Sequence, residues 1–121
     1  LMLPPSVKIF VGTSPVDMRK SFDGLAGVVR GVLEEDPLSG HLFIFFNRRG
    51  DLAKMIWWSN GGLCLFAKRL ERGRFCWSRL VEAGTRSVQI DATDLALLLE
   101  GVDLSRARRQ RWWNPPHKRA A

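Results

Sequence analysis

The fold is decided by the stretch Leu42-Phe-Ile-Phe-Phe-Asn-Arg-Arg-Gly-Asp-Leu-Ala-Lys-Met-Ile-Trp-Trp-Ser-Asn-Gly-Gly-Leu-Cys-Leu-Phe-Ala67. Its first five residues are all apolar, which predicts a central strand that is covered on both faces. Residues 48–51 predict a turn, and residues 60–62 predict a tight hairpin, because asparagine and glycine accept positive φ. The stretch therefore predicts an antiparallel meander of three strands over residues 42–70.

A strand and a helix are predicted before the meander. Residues 7–11 alternate around the polar Lys8 and predict the strand. In residues 16–35 apolar side chains recur at steps of three and four, which predicts the helix. A residue directly before a proline avoids the helical conformation, so Pro37 predicts that the helix ends before it. The apolar stripe of this helix consists of Met18, Phe22, Leu25, Val29 and Val32. We expect the helix to cover the meander, with a core that includes Phe22, Leu25, Val29, Phe43, Phe45 and Ile56.

Shorter elements are predicted after the meander. Residues 74–77 and 87–90 predict two short strands, and residues 92–100 predict a helix that is capped by Asp91 and ended by Gly101. The order of elements predicts an α+β fold, with a mostly antiparallel meander sheet of about five strands packed with two helices.

The net charge is concentrated at the C-terminal end of the sequence. The chain of 121 residues carries 19 Lys and Arg against 12 Asp and Glu. Six of the cations and none of the acids lie in residues 105–121, so the first 104 residues are close to neutral. We therefore predict a single globular α+β domain, 1–104, and a basic tail, 105–121, that contains tryptophan and is disordered or extended. Such arms attract polyanions through counterion release, largely without regard to sequence.

Composition limits the remaining classes of protein. The sequence contains no run of about 18 apolar residues, so it predicts no membrane-spanning helix. It has no cationic and apolar leader at its start, so we expect a cytoplasmic location. Cys64 and Cys76 lie in strand-like apolar sequence, which predicts two reduced core thiols. Together with His41 and His117 they form no zinc-binding spacing, and we expect no metal and no other cofactor.

The sequence carries no pattern that is typical of an enzyme. A metal-dependent nuclease or transposase needs several carboxylates that converge on its ions. Here the acids lie at predicted helix ends and turns, and there is neither a phosphate-binding glycine-rich loop nor a serine nucleophile elbow. We therefore predict that the protein is not an enzyme and has no catalytic residues.

Basic residues in predicted turns are the candidate nucleic-acid contacts. Residues 68–79 contain five Lys and Arg against one acid, with Phe75 and Trp77 between them. Such a segment suits a phosphate backbone or single-stranded bases, and the alternative is a solvated loop whose aromatic side chains turn back into the core. Arg19 and Lys20 also indicate a use beyond stability, because a cation near a helix N-terminus is slightly unfavourable. The candidate contacts are Lys68, Arg69, Arg72, Arg74, Arg48, Arg49, Arg106, Arg108, Arg109 and Arg111.

Two further features are candidates for binding a partner protein. Gly24, Gly27 and Gly31 fall within about 60° of one another on the predicted helix, nearly opposite its apolar stripe. A smooth strip there would let another backbone approach closely, and the alternative is sequence drift at exposed positions. Trp112 and Trp113 in the tail could stack on bases or dock on a protein surface.

Four blocks of the sequence, in order, resemble one family. They are Pro15-Val-Asp-Met-Arg-Lys-Ser-Phe-Asp-Gly-Leu-Ala26, Asp36-Pro-Leu-Ser-Gly-His-Leu-Phe-Ile-Phe45, Asn47-Arg-Arg-Gly-Asp-Leu-Ala-Lys54 and Phe66-Ala-Lys-Arg-Leu-Glu-Arg-Gly-Arg-Phe75. The family is the second-open-reading-frame, or TnpB, accessory protein of insertion sequence sixty-six type elements, and the resemblance spans residues 7–103. It implies a helper protein of transposition, encoded beside a separate and larger transposase that carries the acidic catalytic residues. It implies no defined site residues.

Two functions remain open at this point. In the first, the protein binds element DNA through residues 68–79 and the tail. In the second, it is an adaptor for the transposase or another protein of the same element, docking through the glycine strip or an exposed tryptophan without direct DNA contact. The local basic cluster favours the first function, and the near-neutral charge of the domain favours the second.

Overall fold

The structure, a computed structural model, describes residues 4–77 and 84–102, and the predicted tail lies outside them. The elements in chain order are β1 (Ile9–Gly12), α1 (Phe22–Gly31), β2 (Leu42–Phe46), β3 (Leu52–Ser59), β4 (Gly62–Arg69), β5 (Ser87–Ile90) and α2 (Ala92–Leu99). The strands form one sheet in the order β4-β3-β2-β1-β5. All neighbours pair antiparallel except β1 and β2, which are parallel because α1 crosses between them. The predicted α+β fold, with a mostly antiparallel sheet, is confirmed.

The central strand β2 separates two layers of core. All five of its residues are buried, and alternate side chains of a strand point to opposite faces. On one face Phe43 and Phe45 pack in a cluster with residues of α1, and on the other face Ile44 and Phe46 pack in a cluster with residues of α2. The prediction of a strand covered on both faces is confirmed.

The hairpin between β3 and β4 turns at Asn60 and Gly61, whose φ values are 49° and 80°. Positive φ at both central residues defines the tight turn whose twist matches that of the flanking strands. Ser59 pairs with Gly62, and the register continues without a bulge to the pair of Leu52 and Arg69. The asparagine–glycine signal therefore located the turn correctly.

The predicted start of α1 at residue 16 is wrong. Residues 16–20 form a separate turn, in which an Asp17 carboxylate oxygen accepts from the Arg19 backbone N–H at 2.9 Å and the Asp17 carbonyl accepts from Lys20 N at 3.1 Å. An aspartate that bonds its own backbone two residues on competes with helix formation. Val16 and Met18 still pack against the α1-side cluster, which explains why their spacing resembled that of a helix.

Two positions of the predicted apolar stripe are exposed. Phe22 is 44% exposed and Val32 is 47% exposed, whereas Leu25, Val29 and Leu33 are buried. Phe22 is the first residue of α1, and a helical side chain leans toward the turn before its own, which is missing here. Val32 caps the other end, where a positive φ at Glu34 ends the helix before residue 35. Phe22 is therefore a wrong core assignment, while the other five predicted core residues are buried.

The strand predicted at residues 74–77 is absent from the described chain, whereas the one predicted at residues 87–90 is present as β5. Phe75 and Trp77 instead insert into the α2-side core, with ring centroids 5.2 and 5.4 Å from that of Phe46. Aromatic packing, rather than strand pairing, therefore holds residues 74–77.

The cap of α2 is as predicted, because a carboxylate oxygen of Asp91 accepts from the backbone N–H of Asp94 at 2.7 Å.

We expect alanine substitutions to separate the buried part of α1 from its exposed start. Leu25 is fully buried, so Leu25→Ala should lower the free energy of unfolding by about 2–5 kcal/mol. Phe22→Ala removes a half-exposed ring and should cost about 1 kcal/mol or less. Urea unfolding followed by tryptophan fluorescence measures both changes. Equal losses would contradict the described start of the helix.

Candidate nucleic-acid interface

The turn at residues 47–51 is fixed by one side chain. The Asn47 side-chain oxygen accepts from the backbone N–H groups of Asp51 and Leu52, both at 3.1 Å, and its amide nitrogen donates to an Asp51 carboxylate oxygen at 2.6 Å. Gly50 completes the turn with a φ of 76° and is buried. Asn47 is thus a positioning residue that the sequence analysis did not select, although an asparagine four residues before an aspartate across a glycine is a turn signal.

The chain after β4 returns beside this turn. Leu70 N donates to the Asp51 carbonyl at 2.8 Å, and Phe75 N donates to the Gly50 carbonyl at 2.7 Å. A Cβ atom at Gly50 would lie 3.6 Å from the Arg74 Cβ, so the two loops touch. The structure therefore brings together two basic segments that are about twenty residues apart in sequence. We call residues 47–51 and 69–74 together the basic edge.

Four arginines of the basic edge are exposed and have no ion-pair partner within the described residues. They are Arg48, Arg49, Arg72 and Arg74. Arg69 is also exposed, and its guanidinium lies 3.7 Å from the Glu71 carboxylate. The Asp51 carboxylate is part of the turn, because it accepts a hydrogen bond from Asn47. This hydrogen bond, together with the charges of Arg49 and Arg69, lowers the pKa of Asp51. The edge therefore presents more positive than negative charge.

The aromatic residues of this segment do not belong to the exposed surface. Phe75 is 3% exposed and Trp77 is 6% exposed, so neither ring is free to stack on a nucleic-acid base. The sequence left open whether these rings face a ligand or the core, and they face the core. What the described part of the basic edge offers is guanidinium groups on a rigid support, which suits phosphate oxygens.

A shallow depression of about 630 Å³ adjoins the basic edge. The segment 15–19 and residues 47–49, with Leu52, line it. Arg19 borders this depression, but its guanidinium is bound by both carboxylate oxygens of Asp17, at 2.7–3.1 Å. This pairing, with the backbone N–H of Arg19, lowers the pKa of Asp17 to about 2 and raises that of Arg19. Arg19 is thus partly neutralised, unlike the arginines at positions 48 and 49.

Lys68 lies apart from the other candidate contacts. Its side chain is half-buried, and its Nζ donates to the Leu99 carbonyl at 2.8 Å, at the last turn of α2. A cation at the C-terminal end of a helix is favourable, because the unsatisfied carbonyls there carry partial negative charge. The structure thus gives Lys68 a structural contact.

The described chain ends beside the basic edge. Gly101, with a φ of 84°, turns the chain after α2, and Val102 N donates to the Leu97 carbonyl at 3.0 Å. A Cβ atom at Gly101 would lie 3.9 Å from the Arg74 carbonyl oxygen. The last described residues therefore lie next to the loop that carries Arg74, shortly before the predicted tail in sequence. The predicted tail contacts Arg106, Arg108, Arg109, Arg111, Trp112 and Trp113 themselves lie outside the described residues.

The three glycines of the predicted strip differ in their surroundings. Gly27 and Gly31 are exposed, and a Cβ placed at either would meet no described atom within 4 Å beyond the adjacent residues and the local helix backbone, whereas a Cβ at Gly24 would lie 3.0 Å from the Lys20 Cβ. The described residues hold no group of three or more His, Cys, Asp or Glu side chains arranged to bind a metal ion. No helix in the same residues is long and apolar enough to cross a membrane.

The fold and the site define a small α+β domain with an arginine-rich loop edge. Comparison with known families matches residues 7–109 to the family described as IS66 Orf2-like protein, TnpB_IS66. The match covers most of the chain, so the chain belongs to this family. Membership implies an accessory role in transposition, in association with the transposition machinery.

Two curated proteins of Sinorhizobium fredii (strain NBRC 101917 / NGR234) are similar over nearly their whole length. Uncharacterized protein y4hO is 42% identical over 116 residues, which is 94% of this chain and 96% of the relative. Uncharacterized protein y4jC is 32% identical over 111 residues, which is 90% of this chain and 92% of the relative. No solved structure matches the chain.

The contact of Lys68 predicts a loss of stability on substitution. Lys68→Met keeps the aliphatic stem but removes the bond to the Leu99 carbonyl, so the free energy of unfolding should fall by about 1 kcal/mol. Arg72→Met, on the exposed loop, is the matched control and should change it by less than about 0.5 kcal/mol. Thermal unfolding followed by circular dichroism compares the two. Equal stabilities would show that the bond to α2 has no structural weight.

The Asp17–Arg19 pair predicts a shifted titration. The folded pKa lies below the ordinary 3.8, so this pair stabilises the fold above that pH and loses its contribution as pH falls toward about 2. In Arg19→Gln the Asp17 midpoint should rise toward 3.8, whereas Lys20→Gln should raise it much less, because the Lys20 charge is the weakest of the causes. Carboxyl NMR titration measures both midpoints. An unchanged midpoint in Arg19→Gln would refute the pairing.

Proposed function

We propose that the protein is a non-catalytic accessory protein of transposition that holds element DNA through the basic edge and the tail. The observation that supports this most is the convergence of two basic segments near the point where the described chain ends. The turn with Arg48 and Arg49 touches the loop with Arg72 and Arg74, and Gly101, which precedes the basic tail in sequence, lies beside that same loop. Segments that are separate in sequence thus combine into one cationic surface, as phosphate recognition requires.

The geometry of the basic edge favours the phosphate backbone of duplex DNA over single-stranded bases. The arginines are held on loops whose backbone is bonded to the sheet, and the nearby aromatic rings are buried. Guanidinium groups that bind phosphates fix the position of a protein on the DNA backbone but carry no base sequence information. The proposal therefore predicts binding that depends strongly on salt and weakly on sequence.

The tail supplies further charge close to the edge. Arg106 is four residues beyond Val102, which limits its distance from that residue to about 14 Å. In this proposal Arg106, Arg108, Arg109 and Arg111 add affinity, while the basic edge sets the orientation of the domain on DNA. In the same proposal Trp112 and Trp113, at the middle of this arm, add stacking or packing contacts.

We expect removal of exposed arginines to flatten the salt dependence of DNA binding. Each phosphate contact contributes about 0.9 to the slope of log affinity against log salt. Arg72→Ala/Arg74→Ala should lower the slope by about 1–2, and the four alanine substitutions at 106, 108, 109 and 111 should lower it by about 2–4. Fluorescence anisotropy with a labelled duplex at several salt concentrations measures the slopes.

The control for this measurement is Lys8→Ala/Arg30→Ala, which removes the same charge from exposed positions outside the basic edge. This variant should keep the parent slope to within about 0.5, because neither side chain contacts a phosphate in the proposal. If the control and the basic-edge variant lose the same slope, only net charge matters and the proposed surface is wrong. If the parent does not bind duplex DNA at low salt, DNA binding itself is refuted.

The second candidate function is an adaptor that binds the transposase or another protein of the same element. The open space around Gly27 and Gly31 on the exposed side of α1 favours it. Gly27→Gln/Gly31→Gln should raise helix stability, since glycine costs about 1 kcal/mol of helix propensity against alanine. In the adaptor function the same change places bulk in the contact and abolishes co-elution with the transposase. Unchanged co-elution would refute docking through this strip.

A further inference from the structure

We propose that the protein forms a two-fold symmetric dimer by antiparallel pairing of β4 with β4 of a second copy. This interaction does not depend on the proposed DNA binding. β4 is an edge strand of eight residues, and among the described residues no strand pairs with its outer side. An edge strand of this length exposes a row of backbone N–H and C=O groups that is a template for another strand.

The register of the hairpin identifies the outward groups. In a two-residue hairpin the closing pair, here Ser59 and Gly62, exchanges both hydrogen bonds, and bonded pairs then recur at every second residue. The bond from Leu70 N to the Asp51 carbonyl continues the same series. The even-numbered residues of β4 are therefore bonded to β3, and the outward groups belong to Leu63, Leu65, Ala67 and Arg69.

The edge of β4 lacks the features by which proteins usually block pairing. It contains no proline, and its register with β3 has no bulge. Lys68, which could act as a charged guard, instead directs its Nζ to the Leu99 carbonyl. The remaining charge on the strand is Arg69 at its last position, so the outer side of residues 63–67 is free of charged side chains.

A second copy of this strand is complementary to the first in one antiparallel register. The outward backbone groups belong to odd-numbered residues, so an odd-numbered residue of one copy must face an odd-numbered residue of the other. The register that places Phe66 opposite the partner's Phe66 meets this condition and pairs seven residues, 63–69. It forms about eight backbone hydrogen bonds and places each Arg69 opposite the partner's Leu63 rather than the partner's Arg69. Parallel pairing would align like charges, which is unfavourable.

The side chain on the symmetry axis is one that needs covering. Phe66 is 37% exposed and lines an apolar groove of about 350 Å³ with Met55, Trp57, Leu95 and Leu99. In the proposed register the partner's Phe66 lies directly opposite, in a pair without backbone hydrogen bonds, where side chains approach most closely. The pairing therefore closes the open side of this groove with an aromatic contact.

The other edge of the sheet is a poorer partner. β5 has four residues, so pairing it with β4 would leave half of the longer strand open. A β4–β5 contact would also be heterologous, and such contacts lead to open chains or larger rings rather than a closed pair. The two-fold β4–β4 contact satisfies both copies at once.

The first test is the mass of the full chain in solution, measured by sedimentation equilibrium at about 10–100 μM, the range in which modest interfaces associate. We expect a dimer for the parent. Ala67→Pro removes an outward N–H and leaves the ladder to β3 intact, so it should be monomeric with nearly unchanged thermal stability. Ala67→Ser keeps the N–H and should remain dimeric. A monomeric parent, with the edge covered by the chain's own residues or left free, would overturn the proposal, as would a dimeric Ala67→Pro.

The second test is disulfide trapping, which does not depend on how well the proline variant folds. In a background with Cys64→Ser and Cys76→Ser, Phe66→Cys should form a covalent dimer on oxidation, because facing Cα atoms of such a pair lie about 4.5 Å apart. Ala67→Cys is the control, since its Cα would lie about 8 Å from its symmetry mate, beyond the reach of a disulfide. Cross-linking at position 67, or at neither position, would overturn the register.

Discussion

The burial of β2 on both faces is the constraint on which the rest of the structure depends. Five consecutive apolar residues can be removed from water only if each face of the sheet receives its own cover, and α1 and α2 supply the two covers. Phe46, the last residue of β2, also anchors Phe75 and Trp77. The same buried strand therefore positions the basic edge. The turn at residues 47–51 follows directly after β2, and backbone hydrogen bonds hold the loop at residues 69–74 against this turn.

The contrast between a nearly neutral domain and a basic surface has a local explanation. Two of the three carboxylates in or beside the basic edge are held in place by the structure: Asp51 closes a turn with Asn47, and Asp17 binds Arg19, whereas Glu71 lies on the exposed loop at 3.7 Å from Arg69. The negative charges of Asp17 and Asp51 are thus fixed close to the backbone, while four arginines are exposed without ion-pair partners among the described residues. The net charge of a domain is a sum over all of its residues, so a net charge near zero is compatible with a strongly positive patch on its surface.

Sequence patterns within a few consecutive residues were sufficient to predict most of the sheet and the cap of α2. The alternation and apolar runs gave the strands, and Asn60 with Gly61 gave the hairpin, because each of these signals reflects the conformation of the residues that carry it. The start of α1 was missed, since a side chain of Asp17 bonded to its own backbone overrides a helical spacing. Phe22 was misassigned for the same reason, because its burial depended on that missing first turn.

The candidate site was only partly predictable. The turn and loop arginines could be selected by composition, but their meeting depends on the bond between Phe75 and Gly50, a long-range contact that no local pattern encodes. The same is true of the structural role of Lys68, which depends on where α2 ends. Whether the rings of residues 75 and 77 faced a ligand or the core was likewise undecided until the position of Phe46 was known.

Gly101 lies beside Arg74 and precedes the basic tail in sequence, and this proximity has a kinetic consequence under the proposed function. A cationic segment tethered by only a few residues is held near its neighbour at an effective concentration in the millimolar range. When one of the two surfaces releases a polyanion, the other still retains it, and the released surface rebinds before the complex separates. Individually weak and interchangeable contacts can then give a long residence time while the protein still moves along the polymer.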